Sequence, residues 1–147
     1  MADDAAPNTT TVASTDAARV VIADDEPLLA QALARELEAL WPQVRIGPLV
    51  HDGTAALAAI VETTPDVAFL DVRMPGLTGL EIAQAVAEDW PDAPPVPLIV
   101  FVTAFEQFAL DAFERAAVDY VVKPVRAERL ALTVSRLRSR LAERSDG

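Results

Sequence analysis

The stretch VVIADDEP, residues 20–27, decides the fold. Val20, Val21, Ile22 and Ala23 form an apolar run without alternation, as expected of a strand covered on both faces. The run stops at two adjacent carboxylates, Asp24 and Asp25. Pro27 follows, a residue favoured at the first position of a helix. A buried strand that breaks into acids and then into a helix is the start of a β-α unit. Its acids lie at the carboxyl end of the strand, where a parallel sheet opens.

Outward from this point the unit repeats. Leu29, Leu33, Leu37 and Leu40 recur at helical spacing, and WPQ at 41–43 closes that helix. Residues 44–50 read as a second strand containing Pro48, which cannot donate to a ladder and so predicts an edge position. HDG at 51–53 is a turn, and a helix follows over 54–63. DVAFL at 66–70 is a third strand ending at Asp71, with the turn-rich loop VRMPGLTG behind it. A third helix covers about 79–88, and the proline-rich DWPDAPPVP leads to the apolar strand LIVFV at 98–102, which ends at Thr103. A weaker helix is expected over 105–116, a fifth strand over 118–122, and a last helix over about 126–141 with a Leu130, Val134, Leu137, Leu141 stripe. Strands alternating with helices predict an α/β fold, a doubly wound five-stranded parallel sheet with helices on both faces.

Composition narrows the function. The 147 residues are 52% hydrophobic, enough for one domain with a real core. The division expected is a flexible acidic tail at 1–18, a domain at 19–142 and a short tail at 143–147. Lys plus Arg is 12 against 23 for Asp plus Glu, a net charge of −11 that argues against direct nucleic-acid binding. There is no cysteine, so disulfides and thiolate metal sites are excluded, and a cytoplasmic location is expected. No apolar run is long enough to cross a membrane, and the Asn8-Thr9-Thr10 sequon reads as accidental. Half of the basic side chains, from Arg126 to Arg144, fall on one solvated helix face. Lys123 is the only Lys, which marks a position where a compact ammonium is needed and a planar guanidinium does not serve.

Chemistry gathers outside the carboxyl ends of the strands in such a sheet. The first strand delivers Asp24 and Asp25, the third Asp71, the fourth Thr103 and the fifth Lys123. The second delivers His51 and Asp52, with His51 read as structural or solvent-exposed. Carboxylates some 4–6 Å apart repel by about 3–4 kcal/mol per pair at an effective dielectric near 20. A bound cation relieves this, and oxygen ligands without sulfur suit Mg²⁺. Lys123, the Thr103 hydroxyl and the Ala104 N–H suit a phosphoryl group, with Asp71 as the acceptor. Each residue also has an ordinary reading: the acid pair as a helix cap, Asp71 as a turn opener, Thr103 as a strand end, Lys123 as a surface charge. Coincidence at one rim favours the chemical reading.

These motifs resemble the receiver domains of two-component response regulators. The resemblance rests on IADDEP, DVAFLDVRMPGLTGLE, FVTAFEQFALDAF and AVDYVVKP, in order and spacing over 19–141. It implies the flavodoxin-like strand order 2-1-3-4-5. It also implies Asp71 as phosphoacceptor, Mg²⁺ held by Asp24, Asp25, Asp71 and the Arg73 backbone carbonyl, and phosphoryl contacts from Lys123, Thr103 and Ala104. The Lys123–Pro124 bond would be cis, and Thr103 and Tyr120 would act as the switch. The expected partners are a histidine kinase or phosphotransfer protein, and a second copy docking through the fourth helix, fifth strand and last helix. FVTAFEQFALDAFERAAVDYVVKP looks like receivers of the LytTR class, whose DNA-binding output domain is absent here, so control of transcription or a stand-alone receiver are the two outputs. Phosphatases that also use an aspartyl phosphate carry a second Asp two positions on, where this chain has Arg73. A receiver-like module that signals without phosphate would not need the complete residue set.

Overall fold

The computed structural model describes residues 17–104 and 117–146. The expected helix at 105–116 and the first sixteen residues of the expected tail lie outside them. In chain order the elements are β1 (Arg19–Ala23), α1 (Pro27–Leu40), β2 (Arg45–Val50), α2 (Gly53–Thr63), β3 (Val67–Leu70), α3 (Gly79–Asp89), β4 (Leu98–Thr103), β5 (Ala117–Val122) and α4 (Ala127–Asp146). The strands form one parallel sheet ordered β2-β1-β3-β4-β5, which is the expected 2-1-3-4-5.

Alternation along each strand sorts the core into two layers. Val20, Ile22, Val67, Phe69 and Val100 face α1 and α4, where Leu33, Leu37, Leu130, Val134 and Leu137 meet them. Val21, Ala23, Ala68, Leu70 and Phe101 face α2 and α3, where Ile60, Ile82 and Val86 lie. The apolar runs are therefore continuous because both sheet faces are covered.

Edge strand β2 carries Pro48 as expected, and its pairing with β1 slips between Val20↔Ile46 and Ile22↔Leu49. The slip inserts one extra β2 residue near the proline, where a missing donor is tolerated. Most element ends lie within one residue of the sequence expectation, and two differences extend the ordered structure further. Ala18 is already buried and its carbonyl accepts the Arg45 N–H at 2.8 Å, so ordered pairing begins before Arg19. α4 runs to Asp146 rather than ending near Leu141, and Arg144 ties its last turn to the Val96 carbonyl.

The α4 stripe is tested by Leu137→Ala. Leu137 is 0% exposed. Its truncation is expected to cost about 3 kcal/mol in urea denaturation, whereas a loss below about 1 kcal/mol would contradict close packing of α4 on the sheet.

Candidate functional site at the carboxyl edge of the sheet

The register brings the strand tips level. Ala23 pairs with both Val50 and Leu70, and Thr103 pairs with Val122. Each tip is then held by a neighbouring strand: Asp24 N–H donates to Val50 O at 3.0 Å, Asp71 N–H to Ala23 O at 2.9 Å, and Lys123 N–H to Thr103 O at 2.8 Å. The functional side chains thus stand on backbone that is itself part of the sheet ladder.

At the centre of the rim sits the Lys123 ammonium. Its Nζ lies 2.8 Å from Asp24 Oδ2 and 2.9 Å from Asp71 Oδ2, with Glu26 Oε1 further out at 3.7 Å. Both aspartates are buried. Burial alone would lower the Lys123 pKa, but the hydrogen bonds and charges of Asp24 and Asp71 outweigh it and hold the ammonium above its ordinary value. The remaining oxygens are also used: Asp24 Oδ1 accepts the Glu26 N–H at 2.9 Å, and Asp71 Oδ1 accepts the Arg73 N–H at 3.2 Å. Asp71 therefore opens its turn as well as facing the rim, so the ordinary and chemical readings of that residue coexist.

The helix-cap reading of the acid pair does not hold. Glu26 is the N-cap of α1 and makes no side-chain capping bond. Asp24 turns to the rim, and Asp25 is exposed beside it. Asp24, Asp25 and Glu26 each present a carboxylate oxygen within 4.8 Å of the others, and Asp71 meets this trio through the shared ammonium. Glu26 was not singled out from sequence, although its adjacency in DDEP was the available signal. The all-oxygen donor set fits a hard divalent cation such as Mg²⁺.

Thr103 is 0% exposed, and its hydroxyl finds no hydrogen-bond partner among the described residues. An orphaned buried hydroxyl is costly and calls for an incoming acceptor. Ala104, next along, is exposed. The Lys123–Pro124 bond is cis, as expected. Tyr120 is buried, its ring tilted 53° to Phe101 at 6.3 Å between centroids. The loop after Asp71 is held at its far end by the Thr78–Glu81 capping box, and a Cβ on Gly79 would lie 2.4 Å from the Asp71 carbonyl oxygen. Only glycine lets α3 start this close to the residue carrying the acid.

A second charged cluster escaped the sequence reading. Asp119 is 0% exposed. It accepts from Arg129 at 2.7 and 3.0 Å, Thr133 Oγ1 at 2.7 Å and the Tyr120 N–H at 2.8 Å, and Arg136 lies at 2.9 Å. Burial would raise its carboxyl, yet the hydrogen bonds from Arg129, Thr133 and Tyr120 outweigh burial and hold it below the usual value. The β4–β5 register jumps from Ile99↔Ala117 to Val100↔Asp119, so Val118 is an extra residue that re-aims Asp119 toward α4. The spacing of Arg129, Thr133 and Arg136 on α4 carried a helical signal, but the bulge left no mark in the sequence.

A model of the response regulator receiver domain matches residues 20–135. The chain belongs to the response regulator receiver family. An uncharacterised response regulatory protein of Vibrio cholerae is 44% identical to this receiver over 82% of the chain and 45% of the relative. The positive alginate biosynthesis regulatory protein of Pseudomonas aeruginosa is 46% identical over 76% of the chain and 44% of the relative. The receiver thus spans a little under half the length of these curated relatives. Among solved structures, the response regulatory domain of mrkE from Klebsiella pneumoniae superposes with a TM-score of 0.76 at 30% identity, covering 85% of this chain and 98% of that one. The response regulator TrrA of Thermotoga maritima, solved in complex with Mg²⁺-BeF, gives 0.69 at 30% identity over 82% and 98%. No helix among the described residues is long and apolar enough to cross a membrane.

Two expectations follow for this receiver. Thr103→Val replaces an unpartnered hydroxyl by a methyl of similar shape, so stability in urea is expected to stay level or rise by up to about 1 kcal/mol; a loss of more than about 1 kcal/mol would mean the hydroxyl is already satisfied. Asp119→Asn is expected to cost about 1–3 kcal/mol near neutral pH. Because the folded carboxyl lies below its unfolded value of ~3.9, that contribution is complete above that pH and fades as pH falls further. Wild type and variant should therefore converge in acid denaturation, and a constant gap down to pH ~2 would refute the assignment.

Proposed function

We propose that Asp71 accepts a phosphoryl group from the phosphohistidine of a histidine kinase or phosphotransfer protein, and that residues 19–142 act as the phosphorylation-controlled unit. The observation that carries this is the Lys123 ammonium held between two buried carboxylates, Asp24 at 2.8 Å and Asp71 at 2.9 Å. In the transfer the donor's P–N bond breaks, a P–O bond to an Asp71 carboxylate oxygen forms, and the leaving imidazole takes up a proton. Asp24, Asp25, Asp71 and the Arg73 carbonyl would hold Mg²⁺, which would supply positive charge to the phosphoryl oxygens. Lys123 exchanges its Asp71 contact for a phosphoryl oxygen, and the orphaned Thr103 hydroxyl and the Ala104 N–H donate to the others. Movement of Thr103 frees Tyr120 to repack, which changes the surface around β5 and α4 and the second-copy docking it supports.

The relatives' names as regulatory proteins, and the share of their length this receiver spans, support control of transcription through a DNA-binding output domain. The FVTAFEQFALDAFERAAVDYVVKP stretch supports the LytTR class. The cysteine-free composition agrees with a cytoplasmic receiver.

Incubation with Mg²⁺ and acetyl phosphate, followed by intact mass measurement, tests the reading. Wild type should gain one phosphoryl group and Asp71→Ala none. Equal labelling of both proteins would end the assignment of Asp71.

A further inference from the structure

The turn His51-Asp52-Gly53 joins the two acidic loops of the rim. His51 Nδ1 lies 3.0 Å from the Asp24 carbonyl oxygen. A carbonyl only accepts, so Nδ1 carries the proton there. Asp52 caps α2, its side chain accepting the Ala55 N–H at 2.7 Å, which fixes where the helix begins. Gly53 then faces the other loop. Its N–H donates to Pro75 O at 2.8 Å, and a Cβ at this position would lie 2.0 Å from the Leu77 carbonyl oxygen. Val50, just before the turn, also takes the Asp24 N–H at 3.0 Å.

One three-residue turn therefore grips the backbone that carries Asp24, Asp25 and Glu26, and also the loop that leaves Asp71. These loops are far apart in sequence. Their carboxylates repel, and Lys123 links them by a side chain that phosphorylation would redirect. The sheet ladder joins the strand tips beneath these loops, and the turn adds a second backbone link beyond the tips that stays in place when that ammonium turns away.

We propose that His51 and Gly53 are positioning residues, which set the separation of the acid-pair loop from the Asp71 loop and thereby the affinity of the rim for Mg²⁺. The inference rests on the phosphoacceptor reading above. Neither residue is among those assigned to hold the cation or the phosphoryl group. They act as outer partners do at metal sites, by holding the backbone of the ligands.

The test titrates Mg²⁺ calorimetrically into wild type, His51→Leu, His51→Asn and Gly53→Ala, with beryllofluoride uptake followed by ¹⁹F NMR and thermal unfolding measured in EDTA. His51 is exposed, so its variants should unfold at the wild-type temperature in EDTA. His51→Leu is expected to weaken Mg²⁺ about tenfold, in the range for lost outer partners of a metal site. His51→Asn, whose amide N–H can replace Nδ1–H without an ionisable ring, should restore affinity to within about twofold of wild type. Gly53→Ala should weaken Mg²⁺ by about tenfold or more if it folds; if it does not, the His51 pair decides. Unchanged Mg²⁺ affinity in His51→Leu, or a loss that His51→Asn fails to rescue, overturns the proposal. If wild type itself takes up no beryllofluoride, the phosphoacceptor reading fails instead.

Discussion

One ammonium between two buried carboxylates is the interaction on which the rim depends. Asp24 and Asp71 follow the ends of neighbouring strands whose pairing sets the two tips side by side. At an effective dielectric near 20 their repulsion is worth about 3 kcal/mol, and burial removes the water that would screen it. Lys123 offsets this from the far side of β4, within 2.9 Å of both. It does not balance the site. Asp25 and Glu26 remain, so four carboxylates face one ammonium, and the excess negative charge is what a divalent cation can neutralise.

Among the described residues, the two buried acid sites use different cations for a physical reason. At Asp119 one carboxylate meets the planar fork of Arg129, with Thr133 and Arg136 completing the shell. Every lone pair has a fixed donor, and such a site is a structural tie between β5 and α4. At the rim a compact ammonium is shared between two acids, neither of which owns it. A guanidinium fork would pair with one carboxylate and lock it. An ammonium can be exchanged to a new anion with little rearrangement, which would suit the phosphoryl transfer proposed for Asp71. The orphaned Thr103 hydroxyl belongs to the same economy: a donor kept waiting in the core costs stability unless an acceptor arrives.

Much of this was legible in the chain. Apolar runs without alternation, each ending in a polar group, specified a parallel sheet covered on both faces and placed Asp24, Asp71, Thr103 and Lys123 at one edge. Pro48 specified the edge strand, because a missing N–H has only a few places to hide. The single Lys among eleven Arg drew attention to the rim position where an ammonium stands between two carboxylates. These features are legible because they follow from local periodicity and from the chemistry of single residues.

What the tertiary structure decided was which groups share a partner. The sequence grouped Asp24 with Asp25 and Asp71; the fold puts Glu26 into the acid trio and reaches Asp71 through Lys123. It sent Asp119 to α4 through a one-residue bulge in β5. It also made a bracket of the HDG turn, whose glycine is needed only because the Leu77 backbone passes where a Cβ would be. Register, bulges and close backbone approaches arise between segments distant along the chain, so no local pattern encodes them. They exist only once both layers of the core have closed on the sheet.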